Sequence, residues 1–136
     1  MAVALVVHGP MQGFRFRSIQ RRFEERDYIE VLTRIDPFTR RHRFSRSANL
    51  LKAVSLLSLH QYKEAGLFMG TLGPLDGPDP ATQAFLRACA SAGQAHDAEA
   101  IQHLTDCFRL DPTYKEEAQT VPALRSLMGY FQVEAA

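Results

Sequence analysis

The chain has 136 residues, 46% of them hydrophobic and 23% charged. That is enough chain for one domain with its own core, and the balance excludes wholesale disorder. Two cysteines make no disulfide framework, which fits a reducing compartment. The net charge of +1 hides an asymmetry: residues 1–52 carry eleven Lys or Arg against five Asp or Glu, and residues 53–136 carry five against ten.

The apolar start Ala2–Val7 is cut short by His8-Gly9-Pro10. It is too short for a signal-peptide core and far too short to span a bilayer, so the expected location is cytoplasmic, with no membrane partner. A short strand at Val3–Val7 is the one candidate for β structure, and residues 1–13 are set apart as an N-terminal segment.

From Gly13 to about Ile35 the apolar residues have helical spacing, but Phe16, Ile19 and Phe23 are out of phase with Tyr28, Val31, Leu32 and Ile35. The shift near Arg26-Asp27 implies two short helices with a tight turn, or one bent helix. Asp36-Pro37 should end the element, because the residue before proline is pushed out of the α region. A basic loop follows over residues 37–45. Ser47 is the expected N-cap of a helix reaching about Leu59, with Leu50, Leu51, Val54 and Leu57 on its apolar face. After His60-Gln61 a helix from Tyr62 to about Leu72 turns Ala65, Phe68, Met69 and Leu72 inward.

Glycine and proline break the chain over Gly73–Pro80. A fifth helix then starts after Asp79, with Pro80 at its first position, and runs through Phe85, Leu86 and Cys89 to about Ala92. A sixth spans roughly Asp97–Leu110 until Asp111-Pro112 closes it. Two short helical stretches, about Tyr114–Gln119 and Pro122–Phe131, finish the domain, leaving 132–136 as a tail.

A short pattern recurs along these elements. Asp27-Tyr28-Ile29-Glu30-Val31, Gln61-Tyr62-Lys63-Glu64-Ala65 and His96-Asp97-Ala98-Glu99-Ala100 repeat at about 34 residues, the period of helix–turn–helix arrays. With Tyr28 and Tyr62 opening second helices, Ala65 and Ala100 three residues on, and Arg109-Leu110-Asp111-Pro112 closing the third unit, residues 14–131 resemble the tetratricopeptide repeat family. The stretch Glu117–Leu127 is similar to the cap that follows the last repeat in bacterial members. The match departs at Val31, Asp97, and Asn49 and Ala84, which stand where that family has alanine, an aromatic, and first-helix aromatics. The resemblance implies an all-α solenoid of about three helical hairpins with a capping helix. A helix pair cannot bury its apolar face alone, so such units stack and bind other chains rather than carry out chemistry.

By register the first helices of this family line a concave groove, which carries over to Phe16, Gln20, Phe23, Leu50, Val54, Leu57, Phe85 and Cys89. An apolar groove of this kind suits an amphipathic helix or apolar segment of a protein partner; the competing reading is that several of these side chains pack in the core. On the groove reading, Leu57→Asp or Phe85→Asp should abolish capture and leave helicity intact. The lysines, arginines and asparagines with which some members clamp an acidic tail are absent, their places taken by Leu50, Leu51, Val54, Phe85 and Leu86.

Arg40, Arg41, Arg43 and Arg46 form a basic rim with Phe44 between them. Nucleic acid could use such a loop, but the acidic second half of the chain argues against it. Cys89, His103 and Cys107 could approach one another on a helical hairpin, yet zinc needs a fourth ligand or a water, so neither a metal nor any other cofactor is expected. No motif of an enzyme is present. The expected function is a non-catalytic interaction module. Its alternatives are a small secretion-type chaperone for a helical subunit, a nucleic-acid-associated protein, and self-association through the groove.

Overall fold

In the computed structural model, residues 13–41, 45–73 and 76–135 are described. The expected strand at Val3–Val7 and the residues Arg43 and Phe44 lie outside them. The regular secondary structure of the described residues is all helix, with no strand. The helices are α1 (Gly13–Glu24), α2 (Tyr28–Arg41), α3 (Arg46–Ser58), α4 (Tyr62–Gly70), α5 (Pro80–Gly93), α6 (Asp97–Leu110), α7 (Tyr114–Thr120), α8 (Pro122–Arg125) and α9 (Met128–Ala135). They fall into two compact units that part between Pro78 and Asp79, α1–α4 in one and α5–α9 in the other.

Three tight turns are built alike. α1, α3 and α5 each end in a residue with positive φ, Arg26 (60°), His60 (59°) and Ala95 (61°). At each turn that residue's N–H donates to the carbonyl three residues back and the next N–H to the carbonyl five back. The pairs are Arg26→Phe23 with Asp27→Arg22, His60→Leu57 with Gln61→Leu56, and Ala95→Ala92 with His96→Ser91, all at 2.9–3.0 Å. This is the Schellman arrangement, which satisfies the orphan carbonyls of a helix end and reverses the chain. None of the three αL residues is glycine, so each carries a strain that glycine would not. Ala95 is exposed and makes the cleanest test. Ala95→Gly should raise stability by about 0.5–1 kcal/mol, whereas Ala95→Val should lower it, since a β-branched residue fits αL worst. Opposite shifts of the denaturant midpoint are the expected reading, and shifts of one sign would count against this turn geometry.

In the first unit the core is a cluster of Phe16, Ile19, Val31, Ile35, Phe38, Ala48 and Leu51, with Phe23 and Leu32 packed against it. Pro37 does not end α2; it sits inside the helix. An interior proline costs about 3 kcal/mol. Continuation brings the Phe38 ring, 5% exposed, onto Phe16 at a centroid distance of 5.6 Å. Burying an aromatic ring recovers roughly 1.5–3 kcal/mol of that cost.

The N-cap of α3 is Ser45 rather than Ser47: its Oγ accepts from the Ala48 N–H at 3.3 Å, the geometry that satisfies a first-turn donor. α4 stops at Gly70, short of Leu72; Ala65 and Met69 are buried on it, and Phe68 is half-buried. Lys52 of α3 ties these elements together, with its ammonium 2.8 Å from an Asp36 carboxylate oxygen and 4.6 Å from the Phe68 ring centroid. Asn49 donates to the Asp76 carbonyl at 2.6 Å, which gives this buried amide a partner.

The second unit is dominated by the α5–α6 pair, with α7–α9 packed on its end. α5 starts as expected: Asp79 caps it through the Thr82 N–H at 3.2 Å, with Pro80 at the first position. The Thr82 hydroxyl bonds both Asp79 (2.7 Å) and the Tyr114 hydroxyl, and the Tyr114 ring packs on Phe85 at 5.0 Å. α7 is thereby pinned to the start of α5. Burial raises the Tyr114 pKa above its ordinary value, while the bond from Thr82 pulls the other way.

Candidate functional site

Of the eight side chains assigned to a groove, six are buried. Phe16, Leu50, Val54, Leu57, Phe85 and Cys89 expose between 1% and 7% of their surface. Gln20 and Phe23 are half-buried, and the Phe23 ring meets Tyr28 edge-on at 5.7 Å. Phe16 through Leu57 belong to the first unit, Phe85 and Cys89 to the second. Of the basic rim, Arg40 and Arg41 occupy the last turn of α2, where cations suit the helix C-terminus, and Arg46 opens α3.

A cavity of about 440 Å³ lies between α1 and α2, within the ~300–1,000 Å³ range of ligand pockets. Ser18 and Ile19 of α1 form one wall. Thr33, Arg34, Pro37, Phe38 and Arg41 of α2 form the other. Arg34, Pro37, Phe38 and Arg41 stand at i, i+3, i+4 and i+7, which places them on one face of a helix. That signal was present in the sequence, but a helix ended at Asp36 splits the set in two. Pro37 has no N–H, so the Thr33 carbonyl lacks the usual amide donor four residues on.

Arg34 is held rigidly. Its Nε donates to Glu30 at 2.6 Å and its Nη1 to the Ser18 hydroxyl at 2.8 Å, which leaves Nη2 without a partner among the described residues. Arg41 is exposed and has no ion-pair partner among the described residues. The lining holds two cations and no carboxylate.

The thiols are a different environment. Cys89 and Cys107 are free and buried. Burial first, and then the nearby Cys107, pushes the Cys89 thiol up to about 12; burial, then Asp111 and Asp79, pushes Cys107 up to about 12. Burial, and then Arg87, lowers the pKa of His103. No group of three or more His, Cys, Asp or Glu placed to hold a metal occurs among the described residues.

Both thiols are acids with a folded pKa above the unfolded value. Their neutral forms therefore support the fold fully below about pH 9, and that support is lost as pH rises toward 12. Neither thiol should react with a disulfide reagent at pH 8 in the native protein, and both should react in denaturant, because thiolate is the nucleophile. Rapid native labelling would contradict the burial.

Among the described residues no helix is long and apolar enough to cross a membrane. No family model, curated protein or solved structure matches the chain.

Proposed function

We propose that this chain is a non-catalytic helical-repeat module that holds a segment of another protein. The observation that carries the reading is the recurrence of one hairpin turn at Arg26, His60 and Ala95, in step with the sequence period. Helical hairpins repeated in this way stack as tetratricopeptide-like arrays, and such arrays bind other chains through extended surfaces. The open cleft between α1 and α2 offers a partner apolar area and two cations, of which Arg34 is held by Glu30 and Ser18, whereas the buried side chains of α3 and α5 contribute core.

Selection of displayed peptides on the full chain tests this. Enrichment of a shared pattern, with binding lost when the chain is heat-denatured, is the expected result. No enrichment over an unrelated helical protein of the same size would remove the support for a binding module.

A further inference from the structure

The cleft between α1 and α2 specifies more than apolar contact. On α2 the order of side chains is cation, apolar, apolar, cation: Arg34, Pro37, Phe38 and Arg41. Seven residues of helix separate the two arginines by about 10 Å along the axis. Between them lie Pro37 and the Phe38 ring, with Ile19 of α1 across the cleft. A second helix laid along this groove at the usual ~8–10 Å interaxial distance would meet the same spacing in its own residues.

We infer that the α1/α2 cleft docks an acidic amphipathic helix of a partner protein, one carrying carboxylates at i and i+7 around an apolar pair at i+3 and i+4. This assignment rests on the proposed module function and names the partner's chemistry. The apolar pair packs against Pro37, the exposed apolar residue of the lining; Phe38 and Ile19, 5% and 3% exposed, form the floor beneath it. The carboxylates reach Arg34 and Arg41. Arg34 is already oriented by Glu30 and Ser18, so its Nη2 meets a carboxylate with little further loss of side-chain freedom. Glu30 neutralises part of its charge, so the stronger attraction comes from Arg41.

The balance of charge on these two helices is positive. Arg17, Arg21, Arg22 and Arg40 stand beside the two cleft arginines, against Glu24, Glu30 and Asp36, of which Glu30 is paired with Arg34 and Asp36 with Lys52. Such a balance favours the approach of an acidic helix. Of the arginines, Arg22 is engaged by Glu25 at 3.5 Å.

A second copy of the chain fits poorly. The one pair of carboxylates seven residues apart on a described helix is Glu99 and Asp106 of α6, and the residues between them at i+3 and i+4 are Gln102 and His103. Between those carboxylates α6 has no apolar pair at the required positions.

The test is fluorescence anisotropy of the full chain with a labelled helical peptide of about five turns, containing Glu-x-x-Leu-Leu-x-x-Glu in an alanine and glutamine background. Three control peptides replace both Glu by Lys, replace Leu-Leu by Ser-Ser, or set the Glu five residues apart. The Glu peptide should bind about tenfold tighter than the Lys peptide, and raising salt should narrow that preference. The Ser-Ser and five-spaced peptides should bind more weakly.

The variant R34E/R41E should reverse the preference toward the Lys peptide. Circular dichroism and light scattering on the variant check that it folds as the parent does. Should the pair disturb α2, the exposed single variant R41E carries the same comparison and should abolish most of the preference.

Equal binding of Glu and Lys peptides, or no binding of either, overturns the assignment. So does a parent dimer that R41E dissociates, which would give the face to a second copy. If the designed peptide fails while displayed peptides are still enriched, the cleft assignment falls and the module stands; if both fail, both readings fall.

Discussion

Phe85→Asp should unfold the α5–α9 unit rather than silence a binding surface. Phe85 is 1% exposed and packs on Tyr114 at 5.0 Å. Truncating a buried phenylalanine to alanine costs about 3–5 kcal/mol. An aspartate adds the cost of burying a carboxylate, and a domain of this size has about 5–15 kcal/mol in all. Leu57→Asp, at 6% exposure in the last turn of α3, should act in the same way on the first unit. Far-ultraviolet circular dichroism with a thermal melt decides the matter. Loss of part of the helical signal in each variant is expected. Full helicity with an unchanged midpoint would return these side chains to an open groove. Phe85→Leu keeps an apolar side chain and should leave the fold intact, which separates the charge from the loss of the ring.

The parts of the fold legible in the sequence were those with local chemistry. Asp79-Pro80 announced the start of α5, because a capping carboxylate and a residue without an N–H suit the same two positions. The phase shift at Arg26-Asp27 gave the first turn, and the repeated five-residue pattern gave the other two. Yet the positive φ at Arg26, His60 and Ala95 has no sequence signature, since none is glycine or asparagine; the paired hydrogen bonds of the Schellman turn hold them there.

Pro37 shows the opposite failure. Local sterics argue for a stop, but the contact that offsets much of their cost, Phe38 on Phe16, is made with another helix and is invisible locally. Ser45 and Ser47 are equally good caps in isolation, and only the position of the first turn chooses between them. The α1/α2 cleft was hidden for the same reason as α2 itself, because Arg34 and Arg41 share a face only if the helix passes through Pro37. Helical periodicity identified apolar residues well, but it gives no sign of whether an apolar face meets the core or a partner. Leu50, Val54, Leu57 and Phe85 are core by burial although their spacing suits either role.

The hairpin crossings make the second large prediction. Val31, Ala65 and Ala100 stand at equivalent places in the three second helices, and all are 0% exposed. Alanine lets two helix axes approach closely, since interaxial distance follows the side chains at the contact. Leucine at position 65 or 100 must therefore force the helices apart or adopt a strained rotamer, at about 1–3 kcal/mol. For a unit of this size that is roughly 4–8 °C of melting temperature per kcal/mol. Position 100 should respond more strongly, because α5 and α6 form the most extensive helix pair among the described residues. Position 31 should behave in the reverse sense. The first hairpin is built around valine, which packs in the cluster with Phe16 and Ile19, so Val31→Ala removes two methyl groups and leaves a void worth about 2 kcal/mol. Differential scanning calorimetry on the three variants reads the pattern directly. If Ala65→Leu and Ala100→Leu both melt with the parent, those alanines do not lie at close crossings, and the equivalence of the three hairpins falls with them.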